Sequence, residues 1–264
     1  MATTIGIFDS GLGGLTAAAE FEKLFKNKKY IYFGDTARVP YGTKSADTIC
    51  RYAFQDTKFL INKGASLIIV ACGTVSANAM DKLNSKFDVP IIGVVEPAAK
   101  KAAEIASAGK GRVTVLGTAA TVKSNAYERA IKKIDSSIEV LSVPCPMFVP
   151  LVENGYTHGE AAMLFAKEYL QPTVSFDADA VILGCTHYPH LSDVISQVLN
   201  GSTLVNSGKE AVVAASKLLG ADFVSEGDAE YYVSDAPECF EHLARIFMKK
   251  DAVGKVNCID IESF

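Results

Sequence analysis

This chain of 264 residues is short of several things at once. It has no tryptophan, only four histidines and no surplus of either charge: 26 lysines and arginines against 30 aspartates and glutamates leave a formal net charge of −4. A dedicated nucleic-acid binder draws its phosphate contacts from concentrated Lys and Arg, so this balance argues against nucleic acid as a partner. Long hydrophobic runs are missing too. The longest, such as 67–72, are strand-sized, far below the roughly 20 residues that cross a bilayer, so no membrane partner is expected. The opening MATTIGIFDSG lacks a basic segment leading into a long apolar stretch, and no secretory signal is read there. Cysteines stand at 50, 72, 145, 185, 239 and 258, none in a C-x-x-C pair. In a chain without a leader this predicts reduced thiols and a cytoplasmic location. Neither a G-x-S-x-G nor a Walker pattern occurs, which leaves serine hydrolases and P-loop enzymes without support.

What is present is an ordinary globular composition, 49% apolar and 21% charged, in enough chain for one large α/β unit or two domains. Short β-branched runs predict strands at 5–8, 30–33, 67–70, 91–95, 113–116, 138–143, 180–183 and 203–205. Between them lie stretches with apolar residues at helical spacing, such as Leu15, Ala18, Ala19 and Phe25, or Ala161, Leu164, Phe165 and Tyr169. The tail adds a strand at 230–234, a helix near 239–248 and an apolar stretch at 256–261. Alternation of this kind reads as parallel sheet covered on both faces. The strand ends also repeat: 109 residues separate Asp9 from Thr118 and Asp35 from Pro144, and 113 separate Cys72 from Cys185. We therefore expect two similar α/β domains with mainly parallel sheets, related by a pseudo-twofold and enclosing the active site in the cleft between them. One would be discontinuous, 1–97 with 207–264, and the other would be 98–206. No Pro-, Ser- or charge-rich linker separates them.

Ligands of parallel sheets sit beyond the carboxyl ends of the strands, and there the chain carries Cys72 and Cys185, each leading through a threonine into a helix. A helix start lowers a thiol's pKa, so both sulfurs are expected to favour the thiolate. A single buried cysteine is ordinarily core; two at matching places of a repeat are a pair. Opposed thiols suggest inversion of a stereocentre, one removing a proton from carbon and the other returning one to the opposite face. Asp9 and His187 are placed to assist Cys72 and Cys185 respectively, and Glu153 is a second carboxylate near the latter. Ser10 with Gly11, Gly13 and Gly14 offers backbone N–H groups to a carboxylate, Thr74, Thr118, Thr121 and Thr186 offer hydroxyls, and Tyr41-Gly42 forms a tight loop. Taken singly, Asp9 reads equally well as a helix cap, His187 as a structural imidazole and Glu153 as a solvated charge.

Two patterns imitate other chemistries. The run Gly11-Leu12-Gly13-Gly14-Leu15-Thr16 with Asp35 beyond it resembles a dinucleotide fingerprint, but Thr16 stands where the third glycine belongs. Cys185, His187 and His190 suggest zinc, but Pro189 intervenes and a closed site needs four ligands. No metal is expected.

The segments IGIFDSGLGGLT, GDTARVPYG, VACGTVSAN, VVEPA, PLVENG and LGCTHYPHL, spread over 5–191, together resemble the glutamate racemases of the aspartate/glutamate racemase superfamily. The resemblance implies a cofactor-independent two-base enzyme that interconverts L- and D-glutamate and supplies D-glutamate for peptidoglycan, usually as a homodimer. Carried onto this chain, it makes Cys72 and Cys185 the proton donor/acceptor pair, with Asp9, His187 and Glu153 assisting. It assigns substrate contacts to Asp9, Ser10, Tyr41, Gly42, Thr74, Thr186 and His187, beside the loop groups Gly73, Thr118 and Thr121. One departure is Gly73, where the family typically has Asn; a lost hydrogen bond to a charged ligand group costs about 1.5–3 kcal/mol. Two other readings stay open: a relative acting on aspartate, a hydantoin or a malonate-type acid, and a two-lobed binding module.

Overall fold

The computed structural model describes residues 3–25, 28–199, 201–219, 223, 225, 227–250 and 254–264. Its strands are β1 (Thr4–Asp9), β2 (Tyr30–Gly34), β3 (Ala65–Val70), β4 (Ile91–Gly93), β5 (Arg112–Gly117), β6 (Glu139–Pro144), β7 (Ala180–Leu183), β8 (Thr203–Asn206), β9 (Glu230–Val233) and β10 (Val256–Cys258). They form two sheets, ordered β10-β9-β2-β1-β3-β4 and β6-β5-β7-β8, and every pairing between them is parallel. The order second-first-third-fourth recurs in both sheets, which is the repeat anticipated from the strand-end spacing; β9 and β10 extend the first sheet only.

Period-two alternation sends side chains to opposite faces. In the first sheet Ile5, Ile7, Tyr30, Tyr32, Leu67 and Ile69 join one apolar cluster with Leu15 and Phe21. Phe8, Ile31, Phe33, Ile68 and Val70 join another with Ile49, Phe59 and Leu60 of the helix Ala46–Asn62. The strands are therefore covered on both sides, which is why they read as continuous apolar runs. The helix Val95–Ser107 turns a stripe of small residues, Ala98, Ala99, Ala102, Ala103 and Ala106, into the core beside Val113 of β5 and Ile182 of β7.

Two expectations need correction. The fourth strand ends at Gly93 rather than 95, because Val95 already opens the next helix. The helix Gly159–Phe176 exists, but its buried face is Ala162, Ala166, Leu170 and Thr173; Leu164 is exposed at 64%, Ala161 is exposed, and Phe165 and Tyr169 are half-buried. Phe165 and Tyr169 pack along the edge of that core, and Leu164 is the large side chain turned to solvent. Among the described residues no helix is long and apolar enough to cross a membrane.

Candidate active site

Cys72 and Cys185 follow the equivalent third strands of the two sheets, β3 and β7, each beside the central strand that leads its unit. Asp9 ends β1, and Thr118 follows β5 in the corresponding place. The strand ends meet across a seam. Thr16 Oγ1 donates to the Thr186 carbonyl at 2.9 Å, the Thr74 and Thr118 hydroxyls lie 3.0 Å apart, and a Cβ on Gly42 would stand 2.9 Å from Thr118 Cβ. Both thiols are buried in this seam, 4% exposed at Cys72 and 7% at Cys185.

The surroundings of the two sulfurs differ. Cys72 caps the helix Gly73–Asn78 and its Sγ lies 3.4 Å from Ser10 Oγ, toward which it donates. Its pKa is nevertheless pushed up to about 12: burial raises it first and the Asp9 carboxylate second, against weaker lowering by the Ser10 hydroxyl and the N–H groups of Val75 and Ser10. Desolvation and a like charge thus work against the thiolate expected at this helix start. Asp9 Oδ2 accepts from the Gly11 N–H at 3.1 Å, while its buried Oδ1 has no partner. Burial raises the Asp9 pKa, and the charge of His187 lowers it less. The Gly11 amide expected to face a ligand is therefore committed to Asp9.

At Cys185 the segment continues into a 3-10 turn, Tyr188–Leu191, before the helix Ser192–Val198, so no α-helix begins at this sulfur. Its neighbour is His187 instead: Sγ lies 3.8 Å from Nδ1, and Nε2 lies 3.0 Å from Glu153 Oε1. Burial disfavours the imidazolium, but the contacts with Cys185 and Glu153 outweigh it and hold the His187 pKa up at about 10. Glu153 closes the helix Phe148–Glu153 and remains 40% exposed, open to exchange protons with solvent.

The remaining predicted residues sort by position. Thr118 caps the helix Ala119–Ser124, its hydroxyl accepting from the Thr121 N–H at 3.3 Å; with Thr74 and Thr121 it makes a chain of three hydroxyls at the seam. Thr186 lies against Gly13. The Tyr41 hydroxyl turns away, donating to Asp35 and Asp56, which leaves the backbone of the Tyr41–Gly42 turn at the cleft. A Cβ on Gly73 would overlap the Gly184 carbonyl oxygen, lying 3.1 Å from its carbon and 3.7 Å from the Cys185 Cα; backbone therefore fills the space that a side chain at 73 would take. Three contributors escaped the sequence reading. Phe247 sets its ring edge-on to His187 at 5.7 Å and packs on His190 at 4.3 Å, Thr16 bridges the seam, and Arg38 anchors the Tyr41 turn. His190, half-buried and facing the charges of His187 and Lys249, is pushed down to about 4. Among the described residues no group of three or more His, Cys, Asp and Glu is placed to hold a metal.

A duplicated parallel α/β frame with a buried thiol at the matching strand end of each half has the architecture of an isomerase. Comparison narrows the class. The model of the Asp/Glu/Hydantoin racemase family matches residues 16–215, and the chain belongs to that family. A glutamate racemase from Geobacter metallireducens is 43% identical over 250 residues, covering 92% of each chain. Among solved structures, the glutamate racemase of Francisella tularensis in complex with D-glutamate has a TM-score of 0.91 at 35% identity, covering 99% of both chains. A glutamate racemase isoform from Bacillus anthracis has a TM-score of 0.92 at 31% identity, over 98% of this chain and 97% of that one.

Proposed function

We propose that this protein interconverts L- and D-glutamate by direct proton transfer at Cα, and that the D-glutamate so formed supplies peptidoglycan synthesis. The observation that carries the reading is the placement of two buried thiols at equivalent strand ends on opposite sides of one seam, each with its own proton partner. One sulfur takes the Cα proton while the other thiol delivers its proton to the opposite face, so each turnover moves one proton from one cysteine to the other. On the Cys185 side, His187 hands that proton over as the imidazolium or receives it as the neutral imidazole, and Glu153 exchanges it with solvent. On the Cys72 side, the high pKa keeps the thiol protonated, and the unpartnered Asp9 oxygen is the acceptor beside it.

Cα–H is a very weak acid, so the negative charge that develops on the substrate needs fixed donors. Ser10, Thr74, Thr118, Thr121 and Thr186, with backbone at Gly42 and Gly73, supply them, and they enclose the reacting carbon away from water. Incubation with L-glutamate in deuterated water is expected to give D-glutamate deuterated at Cα. Racemisation that persists in both Cys72→Ser and Cys185→Ser would overturn the assignment of the pair.

Gly73 favours one second reading, a relative that prefers another acidic substrate, because the amide typical of the family is absent. Turnover of aspartate, a hydantoin or a malonate-type acid well above that of glutamate would establish it. The division into 1–97 with 207–264 and 98–206 follows the two sheets and is part of the same proposal, as are a cytoplasmic location and a homodimer. A molar mass twice 28.1 kDa in light scattering is the expected result for the dimer.

A further inference from the structure

Glycines line the seam between the two halves. At Gly73 there is room for hydrogen only: the Gly184 carbonyl stands where Cβ would be, and Cys185 is the next residue along. At Gly13 a Cβ would overlap Thr186 Oγ1 and come within 2.5 Å of His187 Nδ1. Thr16 then fastens this part of the seam, its hydroxyl lying within hydrogen-bond distance of the Gly13 carbonyl at 2.8 Å and the Thr186 carbonyl at 2.9 Å. In this arrangement both sulfurs are nearly sealed, and the Gly184 carbonyl occupies the space next to Gly73.

We propose that Gly73 is a positioning residue that lets the cleft of this chain shut on itself, with the Gly184 carbonyl filling the place beside the Cys72 thiol, so that glutamate binds only after the seam parts. The inference rests on the proposed racemase reading for its substrate, but not for its geometry. A carbon at position 73 would force the Gly184 carbonyl back by about 1 Å or more to reach an ordinary carbon–oxygen approach of about 3.3–3.6 Å. Cys185 and the His187 relay move with it, because they are the next residues of the same strand end. The shut form competes with ligand: apparent affinity falls by the fraction of molecules that are open. An enzyme with a side chain at 73 is spared that competition.

The test compares wild type with Gly73→Ala. Without glutamate, alkylation by iodoacetamide is followed by peptide mass spectrometry at Cys72 and Cys185, which separates them from the exposed Cys239 and Cys258. Both sulfurs are expected to react at least fivefold faster in Gly73→Ala, and KM for glutamate to fall while kcat does not rise. Thr16→Val, which keeps the shape and removes the bridge to Thr186, is expected to move alkylation in the same direction and carries the test if Gly73→Ala does not fold. Unchanged alkylation at both sulfurs in the folded variants overturns the proposal, and so does faster alkylation with KM unchanged or raised. Absence of racemisation by wild type would instead overturn the racemase reading and leave the alkylation comparison standing.

Discussion

Asp9 combines a cost to the fold with a use in the site. Its carboxylate is buried, one oxygen has no partner, and burial raises its pKa above the usual carboxylate value. A group whose folded pKa is raised contributes stability that is full below its unfolded pKa of about 3.8 and is lost as pH rises through the folded value. At neutral pH, then, Asp9 weakens the fold, and Asp9→Asn is expected to stabilise it by about 1 kcal/mol, a common size for relief of a functional site, while kcat falls about 100-fold or more. The same change removes a negative neighbour from Cys72, so the Cys72 pKa drops below about 12; thermal melts, kinetics and the pH dependence of Cys72 alkylation check the three parts. His187 titrates with the same sign from the cationic side. Its folded pKa of about 10 lies above 6.5, so its contribution to stability is full below about pH 6.5 and is lost as pH climbs toward 10. Glu153→Gln removes one of the two partners that hold the proton. The alkaline limb of activity is expected to move to lower pH, with kcat/KM down about tenfold, less than the roughly 100-fold or more lost with a group that transfers the proton itself; a pH–rate profile in which that limb stays in place would contradict the relay.

The turn that carries Tyr41 and Gly42 is held by charge rather than by regular structure. Arg38 Nε meets Asp35 Oδ2 at 2.6 Å, one terminal nitrogen meets Asp56 Oδ1 at 3.0 Å, and the other meets Gln55 Oε1 at 2.5 Å. Both aspartates are fully buried, and Tyr41 donates to both. Burial and the nearby Asp35 raise the Asp56 pKa well above the usual range, and the guanidinium is what offsets that cost. Arg38→Met leaves two buried carboxyl groups without their cation, which costs about 3–5 kcal/mol, and slackens the turn against Thr118, so KM rises; urea unfolding and initial rates measure both. The contact from Arg38 to Glu262, whose side chain is 67% exposed, contributes little to this sum.

None of that network was legible from the chain: Asp35 stood out only as a strand end and Arg38 only within GDTARVPYG, and nothing paired them with Asp56 until the helix Ala46–Asn62 brings it beneath the turn. The strands were legible because β-branched runs buried on both faces leave a continuous apolar signal. Cys72 and Cys185 were legible because their places recur at a near-constant spacing. The direction of the Cys72 pKa was not, because helix starts are local while the burial of Cys72 comes from residues distant in the chain, such as Phe8 and Tyr41. Phe247 escaped for a related reason: sixty residues separate it from the His187 ring it packs against. In the helix Gly159–Phe176 the signal was partly misread, because Ala162 and Ala166 mark the buried face more quietly than Leu164 marks the exposed side.

At the scale of the molecule the two sheets do not have separate interiors. One apolar cluster runs from Ile5 and Leu67 of the first sheet to Leu116 and Leu183 of the second, and another joins Ala77 beyond β3 to Val113, Ile182 and Val205. Burial of this kind, at roughly 25 cal/mol per Å² of apolar surface, is lost on both sides when either half unfolds, so neither half is expected to outlive the other. The prediction is a single cooperative transition despite two sheets. Because the chain contains no tryptophan, one can be introduced as a reporter in each half, Phe25→Trp and Tyr169→Trp, at half-buried aromatic positions. Their fluorescence midpoints in urea are expected to coincide with each other and with far-UV circular dichroism; separate midpoints would mean that the shared clusters do not couple the halves. Arg38→Met sharpens the measurement. Its buried charges lie wholly in the first unit, yet in a coupled molecule the reporter at 169 must lose stability with the reporter at 25, by the same free energy. A midpoint at 169 that stays put while the one at 25 falls would show the seam to be a contact between independent bodies rather than part of one core.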